Sequence, residues 1–361
     1  MEPTLLHQFP GLSKLPHVSL GAFPTPLERL DGLSTRWSTE VYVKREDVSG
    51  VPYGGNKVRK LEFLLGAARR IGATRLISIG GVGSNHLVAT AIYGESLGIP
   101  TSAVWVRQPL TAKVKTNIRA FGATGVSGVL CSYPTVPLHV SLLVARSRLS
   151  GERPYFVPAG GSSPLATVGW VSAVFELRAQ LAALGLADPE RIYAPLGSGG
   201  TIAGLALGVA FAGMDSEVVG VRVVSRLLAN DATVRRLARA CAAILARRDP
   251  TLPPIPPVRR DQLRVVNGYL GRGYGHPTDA AIAAVREARE VDNLQLETTY
   301  TGKALAGMRD DLSQRPARRP VLFWNTFSSV DLSARLKSAT LDSLPADVRA
   351  LLDEPTVADW S

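Results

Sequence analysis

RIYAPLGSGGTIAGLALGVAF, residues 191–211, passes from an apolar β-type run through a glycine-rich turn into an alanine- and leucine-rich helical pattern. Strand, tight turn and helix in that order form half of a strand–helix–strand unit, and its repetition builds a parallel sheet. The repetition is present. RLISIG (75–80) precedes SNHLVATAIYGESLG, TSAVWV (101–106) precedes TAKVKTNIRAFG, and VSGVLC (126–131) precedes VPLHVSLLVARSRL. These units predict one α/β lobe. The apolar helix at 164–185, the strands RIYAPL and EVVGVRVV, and a final strand PVLFWNT (320–326) predict a second sheet. No repeat of fixed period or low-complexity tract interrupts the pattern, and DPTLPPIPPVRRDQ (249–262) reads as a loop.

The chain has 361 residues, enough for one large or two ordinary domains. With 45% hydrophobic and 20% charged residues, it has the composition of a soluble globular protein and no apolar run of membrane-spanning length. The start, MEPTLLHQFPGLSKL, lacks a secretory pattern, so a cytoplasmic location is expected. Cys131 and Cys241 have neither C-x-x-C spacing nor enough partners for a disulfide framework. They read as small core residues, with no metal site. The net charge of +11 raises nucleic-acid binding. The densest basic run, 234–250, nevertheless lacks interleaved aromatic residues and reads as a solvated helix face.

Open α/β sheets bind ligands where strands end and helices begin. In PLGSGGTIAG, residues Gly197, Ser198, Gly199, Gly200 and Thr201 offer N–H groups, a helix dipole and two hydroxyls to an anion. Ile202 stands where a dinucleotide fingerprint needs its third glycine, so a single phosphate fits better than a pyrophosphate; a purely steric turn is the alternative. The second turn, SIGGVGSNHLVA, places Ser84 as an N-cap and, with Asn85 and His86, forms a candidate carboxylate-binding loop. His86 alone reads as a helix-surface residue.

GGNKVRKLE (54–62) puts Lys57 in the first turn of a helix, against the dipole preference for acidic residues. Desolvated in a cleft beside Arg59 and Lys60, its amine becomes a Schiff-base nucleophile. A reactive lysine and a separate one-phosphate turn together are what pyridoxal 5′-phosphate requires.

VKREDVSGVPYGGNKVRKLEFLLGAA (43–68) resembles the family of 1-aminocyclopropane-1-carboxylate deaminase and D-cysteine desulfhydrase, within the fold type II (tryptophan synthase β-like) pyridoxal-phosphate enzymes. The likeness continues through SIGGVGSNH, VPAGGSSPLATVGWV (157–171), LGSGGTIAGL, GYGHPT (273–278), TTYTGKALAGM (298–308) and VLFWNT. It implies two lobes of mostly parallel sheet with the cofactor in the cleft: a large domain of 1–56 plus 167–361 and an inserted small domain of 57–166. It also implies a homodimer. Matched by position, Lys57 carries the cofactor, Asn56 supports its ring, and Gly197 to Thr201 hold the phosphate. Ser84, Asn85 and His86 receive the substrate carboxylate, and Ser84 is also placed for proton transfer. Tyr274 and Tyr300 reach the substrate by resemblance, although tyrosines alone read as core or rim.

Two departures bear on chemistry. Thr301 stands where the deaminases carry a glutamate for the pyridine nitrogen, which resembles the desulfhydrase side and suits β-elimination. In FWNTFSSVD (323–331), Thr326 is kept for the pyridine nitrogen, but Phe327 and Ser328 replace glycines beside the cofactor. The expected function is therefore a lyase that deaminates a small amino acid with a β leaving group, D-cysteine or a relative, to a 2-keto acid and ammonia. Arg59 and Lys60 would keep the cleft electropositive. Ring opening of 1-aminocyclopropane-1-carboxylate and β-replacement are the alternatives within the family; a non-catalytic binding protein is the alternative outside it.

Overall fold

The computed structural model describes residues 2–337 and 339–357. Among these residues ten strands form two sheets: β1 (Leu27–Arg29), β2 (Val41–Lys44), β3 (Arg75–Gly81), β4 (Thr101–Val106), β5 (Ser127–Cys131), β6 (Pro154–Val157), β7 (Arg191–Leu196), β8 (Glu217–Arg222), β9 (Leu263–Val266) and β10 (Val321–Trp324). One sheet runs β1-β2-β10-β7-β8-β9, the other β5-β4-β3-β6. Among the described residues, only the β1–β2 pair is antiparallel and every other pairing is parallel.

The parallel strands read as continuous apolar runs because helices cover both faces of the large sheet. β7 and β10 are buried along their whole length. The helix Pro164–Ala183, capped by Ser163 accepting from the Ala166 N–H, lies against the glycine-rich helix Gly200–Ala212. Gly204 and Gly208 allow that approach, since a Cβ on either would meet Trp170 or Val174 within 2.7 Å. The helix Asp231–Arg248 is amphipathic: Val234, Ala238, Cys241 and Leu245 face the core, while Arg236, Arg239 and Arg247 are exposed. Arg235 and Arg248, from the same basic run, are half-buried and donate to the Val258 and Lys14 carbonyls.

Several expectations change. Residues 263–266, directly after the loop 249–262, form an edge strand to which the sequence reading assigns no element. Cys241 is buried, but Cys131 ends edge strand β5 and is only partly covered. The C-terminal segment is grouped with the large domain by sequence, yet Leu332, Leu344, Val348 and Leu351 share a core with the small sheet. Lys115 also donates to the Leu352 and Glu354 carbonyls. Among the described residues, no helix is long and apolar enough to cross a membrane.

Candidate active site

The carboxyl ends of β3, β7 and β10 face a shared cleft. Lys57 opens the helix Lys57–Arg70, and the preceding loop is fastened to the segment after β10. Gly54 N–H donates to Ser328 Oγ (3.0 Å) and Asn56 N–H to the Thr326 carbonyl (3.2 Å). Gly55 is held at φ +86°, and a Cβ there would lie 2.6 Å from the Phe327 carbonyl oxygen, so only glycine allows this approach. Among the described residues the Lys57 amine has no hydrogen-bond partner. Burial brings its pKa down to about 8, against the raising charge of Glu297.

Across the cleft, Gly197, Ser198 and Gly199 leave β7, and Gly199 (φ +90°) precedes a helix that begins at Gly200 without a side-chain cap. The first N–H groups of a helix have no partner within it and can serve an anion. Asn56 Nδ2 donates to Thr201 Oγ1 (3.2 Å), linking the lysine loop to this turn. Ser162 completes the cup: its Oγ accepts from Gly200 N–H at 3.1 Å and lies 2.7 Å from Ser198 Oγ. Lys60 reaches the same place, donating to the Gly160 carbonyl (3.1 Å) and Ser162 Oγ (3.3 Å). Buried, near Lys57 and without a carboxylate partner among the described residues, it is held well below the usual lysine range.

Arg59 overturns its expectation. Its guanidinium is buried against Glu46 (2.7 Å) and Glu176 (two contacts of 3.0 Å), and Lys44 adds a 2.5 Å contact to Glu176. It is a structural cation whose charge is spent within this cluster, so of the pair Arg59 and Lys60 only Lys60 faces the cleft.

Ser84 caps the helix Asn85–Ser96 by accepting from Leu87 N–H (3.3 Å). Asn85 Oδ1 accepts from Tyr53 (3.2 Å) and Asn117 (2.8 Å), which turns its Nδ2 donor toward the cleft. His86 is not a surface residue: it is 2% exposed, its Nε2 lies 3.2 Å from Ser78 Oγ, and its Nδ1 is buried without a partner. Burial, reinforced by Lys57 and Lys60, keeps it neutral.

The Tyr274 and Tyr300 hydroxyls lie 2.6 Å apart with edge-on rings, and burial raises both pKa values. A Cβ on Gly197 would sit 3.4 Å from the Tyr300 ring, which places that ring beside the glycine turn. Glu297, which the sequence reading passes over, accepts from the N–H groups of Thr299 (2.7 Å), Tyr300 (2.8 Å) and Thr301 (2.9 Å). It thereby caps the helix that Thr301 opens. The Thr301 hydroxyl is committed to Glu297, accepting its N–H at 2.9 Å, whereas the Thr326 hydroxyl has no partner among the described residues.

With this geometry in place, likeness to known proteins becomes specific. The family model described as "Pyridoxal-phosphate dependent enzyme" matches residues 18–326. The chain belongs to this family. D-cysteine desulfhydrase of Salmonella choleraesuis (strain SC-B67) is 34% identical over 324 residues, covering 87% of this chain and 94% of the relative. That of Yersinia pseudotuberculosis serotype O:1b (strain IP 31758) is 33% identical over 331 residues, covering 90% and 96%. The crystal structure of an ACC deaminase homologue superposes with TM-score 0.77 at 28% identity, covering 94% of this chain and 99% of that one. A fungal L-serine ammonia-lyase from Rhizomucor miehei, at 22% identity and TM-score 0.57, covering 90% of this chain and 99% of that one, shares the fold. The family, the desulfhydrases and the deaminase homologue together support a pyridoxal-phosphate-dependent lyase acting on a small amino acid.

The residues present fit that cofactor. Lys60 is a buried amine with no carboxylate partner among the described residues, and it shares Ser162 Oγ with the first N–H of the helix Gly200–Ala212. The cup tolerates only glycine at its closest points: a Cβ on Gly200 would lie 2.6 Å from Ser162 Oγ, and one on Gly160 2.3 Å from Ser198 Oγ. An unpartnered, burial-depressed amine at Lys57 completes the set.

Proposed function

We propose that the protein is an α,β-eliminating lyase of D-cysteine or a closely related small amino acid, releasing a 2-keto acid and ammonia. The observation that carries this reading is the unpartnered Lys57 amine, lowered to about 8 by burial and tied through Asn56 to an anion-ready turn. The desulfhydrases named above support the substrate class.

Lys57 would hold the cofactor covalently, with its phosphate on Gly197 to Thr201, Ser162 and Lys60. Asn56 would lie beside the ring, and the Thr326 hydroxyl would face the pyridine nitrogen. Bound there, pyridoxal phosphate supplies an electron sink for the substrate's Cα. Thr326 is neutral and cannot force a proton onto that nitrogen, which moderates the sink and favours loss of a β-substituent over opening of an unactivated ring.

The open N–H groups and the Asn85 amide at the start of the helix Asn85–Ser96 orient the substrate carboxylate, above the floor formed by His86. The Lys57 amine would take up the Cα proton, with the Ser84 hydroxyl oxygen as the alternative acceptor. Tyr274 and Tyr300 share a hydrogen bond and face the β-substituent, with Tyr300 kept protonated as a donor to the leaving group. Closure of the lobes excludes water. The same reading includes a homodimer, supported by the exposed apolar helix Val136–Leu149, and a reducing, cytoplasmic setting, in keeping with two unpaired thiols. It needs no metal, nucleic acid or membrane.

The test is the visible absorption spectrum of the purified protein and of Lys57→Ala, with D-cysteine and then 1-aminocyclopropane-1-carboxylate added. A cofactor band lost in the variant, with sulfide and keto acid released from D-cysteine, is the expected result. Turnover of the cyclopropane substrate alone would replace elimination by ring opening. A cofactor band without turnover of any amino acid would leave a binding protein.

A further inference from the structure

One cation in the cleft is unused by this mechanism. Lys113 lies in the first turn of the helix Ala112–Gly122 and lines the same pocket as Asn85, Tyr274 and Tyr300. Among the described residues its amine makes no hydrogen bond and no ion pair. It rests over the Phe327 ring, 5.2 Å from the centroid, within the range of a cation–π contact. A lysine with no structural task normally carries its ammonium out to water. This one is half-buried, and burial lowers its pKa.

The nearby carboxylate of Glu297, which lines the same pocket, makes no ion pair with Lys113 among the described residues. Glu297 raises the Lys113 pKa from a distance, yet its two oxygens are occupied by the Thr299, Tyr300 and Thr301 N–H groups. Two further groups around the pocket are incompletely bonded. Gln108 Oε1 is buried without a donor. Thr111 Oγ1 accepts from Val114 N–H (3.2 Å) and keeps its own proton to donate. Lys113 and Phe327 also come from distant parts of the chain, on the helix Ala112–Gly122 and just after β10.

We propose that Lys113, steadied by Phe327, is a specificity residue that receives a negatively charged β-substituent, so that the preferred substrate is a small amino acid with a second acidic group. The inference rests on the functional reading above, which places the α-carboxylate at Ser84, Asn85 and His86. A compact substrate then directs its β-substituent between the tyrosine pair and Lys113. Phe327 fills the space that glycine would leave and holds the ammonium with its ring face, an attraction that leaves the three N–H donors free for an oxyanion.

The experiment uses the holoenzyme and two non-eliminating probes, aspartate and alanine, each in both enantiomers. Binding is followed by calorimetry and by the cofactor's visible band. The wild type is expected to bind aspartate about tenfold more tightly than alanine of the same hand, the scale of one charge-assisted contact. Lys113→Met should bring that ratio to within about threefold of unity, Lys113→Arg should largely keep it, and added salt should shrink it in the wild type. A wild-type ratio near one overturns the proposal without any variant, as does a ratio that survives in Lys113→Met. Sulfide release from D-cysteine, measured on the same samples, separates the two ideas. Release without an aspartate preference removes only the role of Lys113, whereas no release counts against elimination while the aspartate ratio still decides the role of Lys113.

Discussion

Asn56 donates from Nδ2 to Thr201 Oγ1 across 3.2 Å, so the residue before Lys57 is fixed to the first turn of the helix that opens the anion cup. The two ends of the proposed cofactor site are therefore coupled: misplacing one displaces the other. Thr201→Val keeps the shape but removes the acceptor and one hydroxyl of the cup. Cofactor affinity is expected to fall about tenfold, the worth of one or two hydrogen bonds to a charged group, with Thr201→Ser near wild type. Titration of the apoenzyme with pyridoxal phosphate measures this, and equal affinity in the valine variant would remove Thr201 from the site.

The buried cluster of Lys44, Glu46, Arg59 and Glu176 makes a prediction about stability. Arg59→Met leaves Glu46 without its guanidinium and Glu176 with Lys44 alone, at an expected cost of about 3–5 kcal/mol. Burial opposes ionisation of Glu176, but Arg59 and Lys44 outweigh it and hold the carboxyl at about 2. A carboxyl depressed in this way stabilises the fold fully above its ordinary range near 4.5, and that contribution fades as the pH falls from there toward 2. Glu46 works in the opposite sense, because burial raises its pKa despite Arg59. Glu176→Gln should therefore cost clearly less at pH 3 than at pH 7 in denaturant unfolding; an equal cost at both would contradict the assigned charge state.

Lys57 sets a pH dependence for cofactor capture. Only the neutral amine attacks, and burial lowers its pKa to about 8 in spite of Glu297. The rate at which apoenzyme takes up pyridoxal phosphate should rise through about pH 8, well below an ordinary lysine. Glu297→Gln removes the charge that raises the pKa, so the inflection should move lower. Stopped-flow absorbance across pH 6–10 reads both values, and an inflection shifted upward in the variant would reverse the sign argued here.

Much of the fold is legible because buried parallel strands are continuous apolar runs, and β3, β4, β7, β8 and β10 are of this kind. β9 escapes notice as the four-residue edge strand LRVV, which follows a proline-rich connection. Lys57 and the 197–201 turn are visible because glycine spacing and a lysine beside it carry their own signal. Arg59 is not: its meaning depends on Glu176, 117 residues away, and a sequence cannot show that pairing. Ser162 and Lys60 lie in quoted motifs, but their meeting at the cup needs the fold. Glu297 leaves a local trace as an acid just ahead of a helix start. Lys113 leaves none, since its neighbour Phe327 comes from a distant part of the chain.

The helix Val136–Leu149 argues for a partner surface. It joins β5 to β6 over the small sheet, and of its fourteen residues only Ser147 is buried. Leu138 and Leu142, one turn apart on one face, are 58% and 54% exposed, and Tyr133 just before the helix is 66% exposed. An apolar stripe of this kind is unfavourable in water, and the proposed second copy would cover it. The double variant Leu138→Glu/Leu142→Glu places like charges on that face and should convert the proposed dimer into monomers. Multi-angle light scattering across a concentration series gives the mass directly. Because both side chains are exposed in the single chain, the variant should keep the wild-type unfolding midpoint when measured as a monomer. A variant that stays dimeric would place the interface elsewhere, and a wild type that is monomeric at every concentration would dismiss the dimer itself.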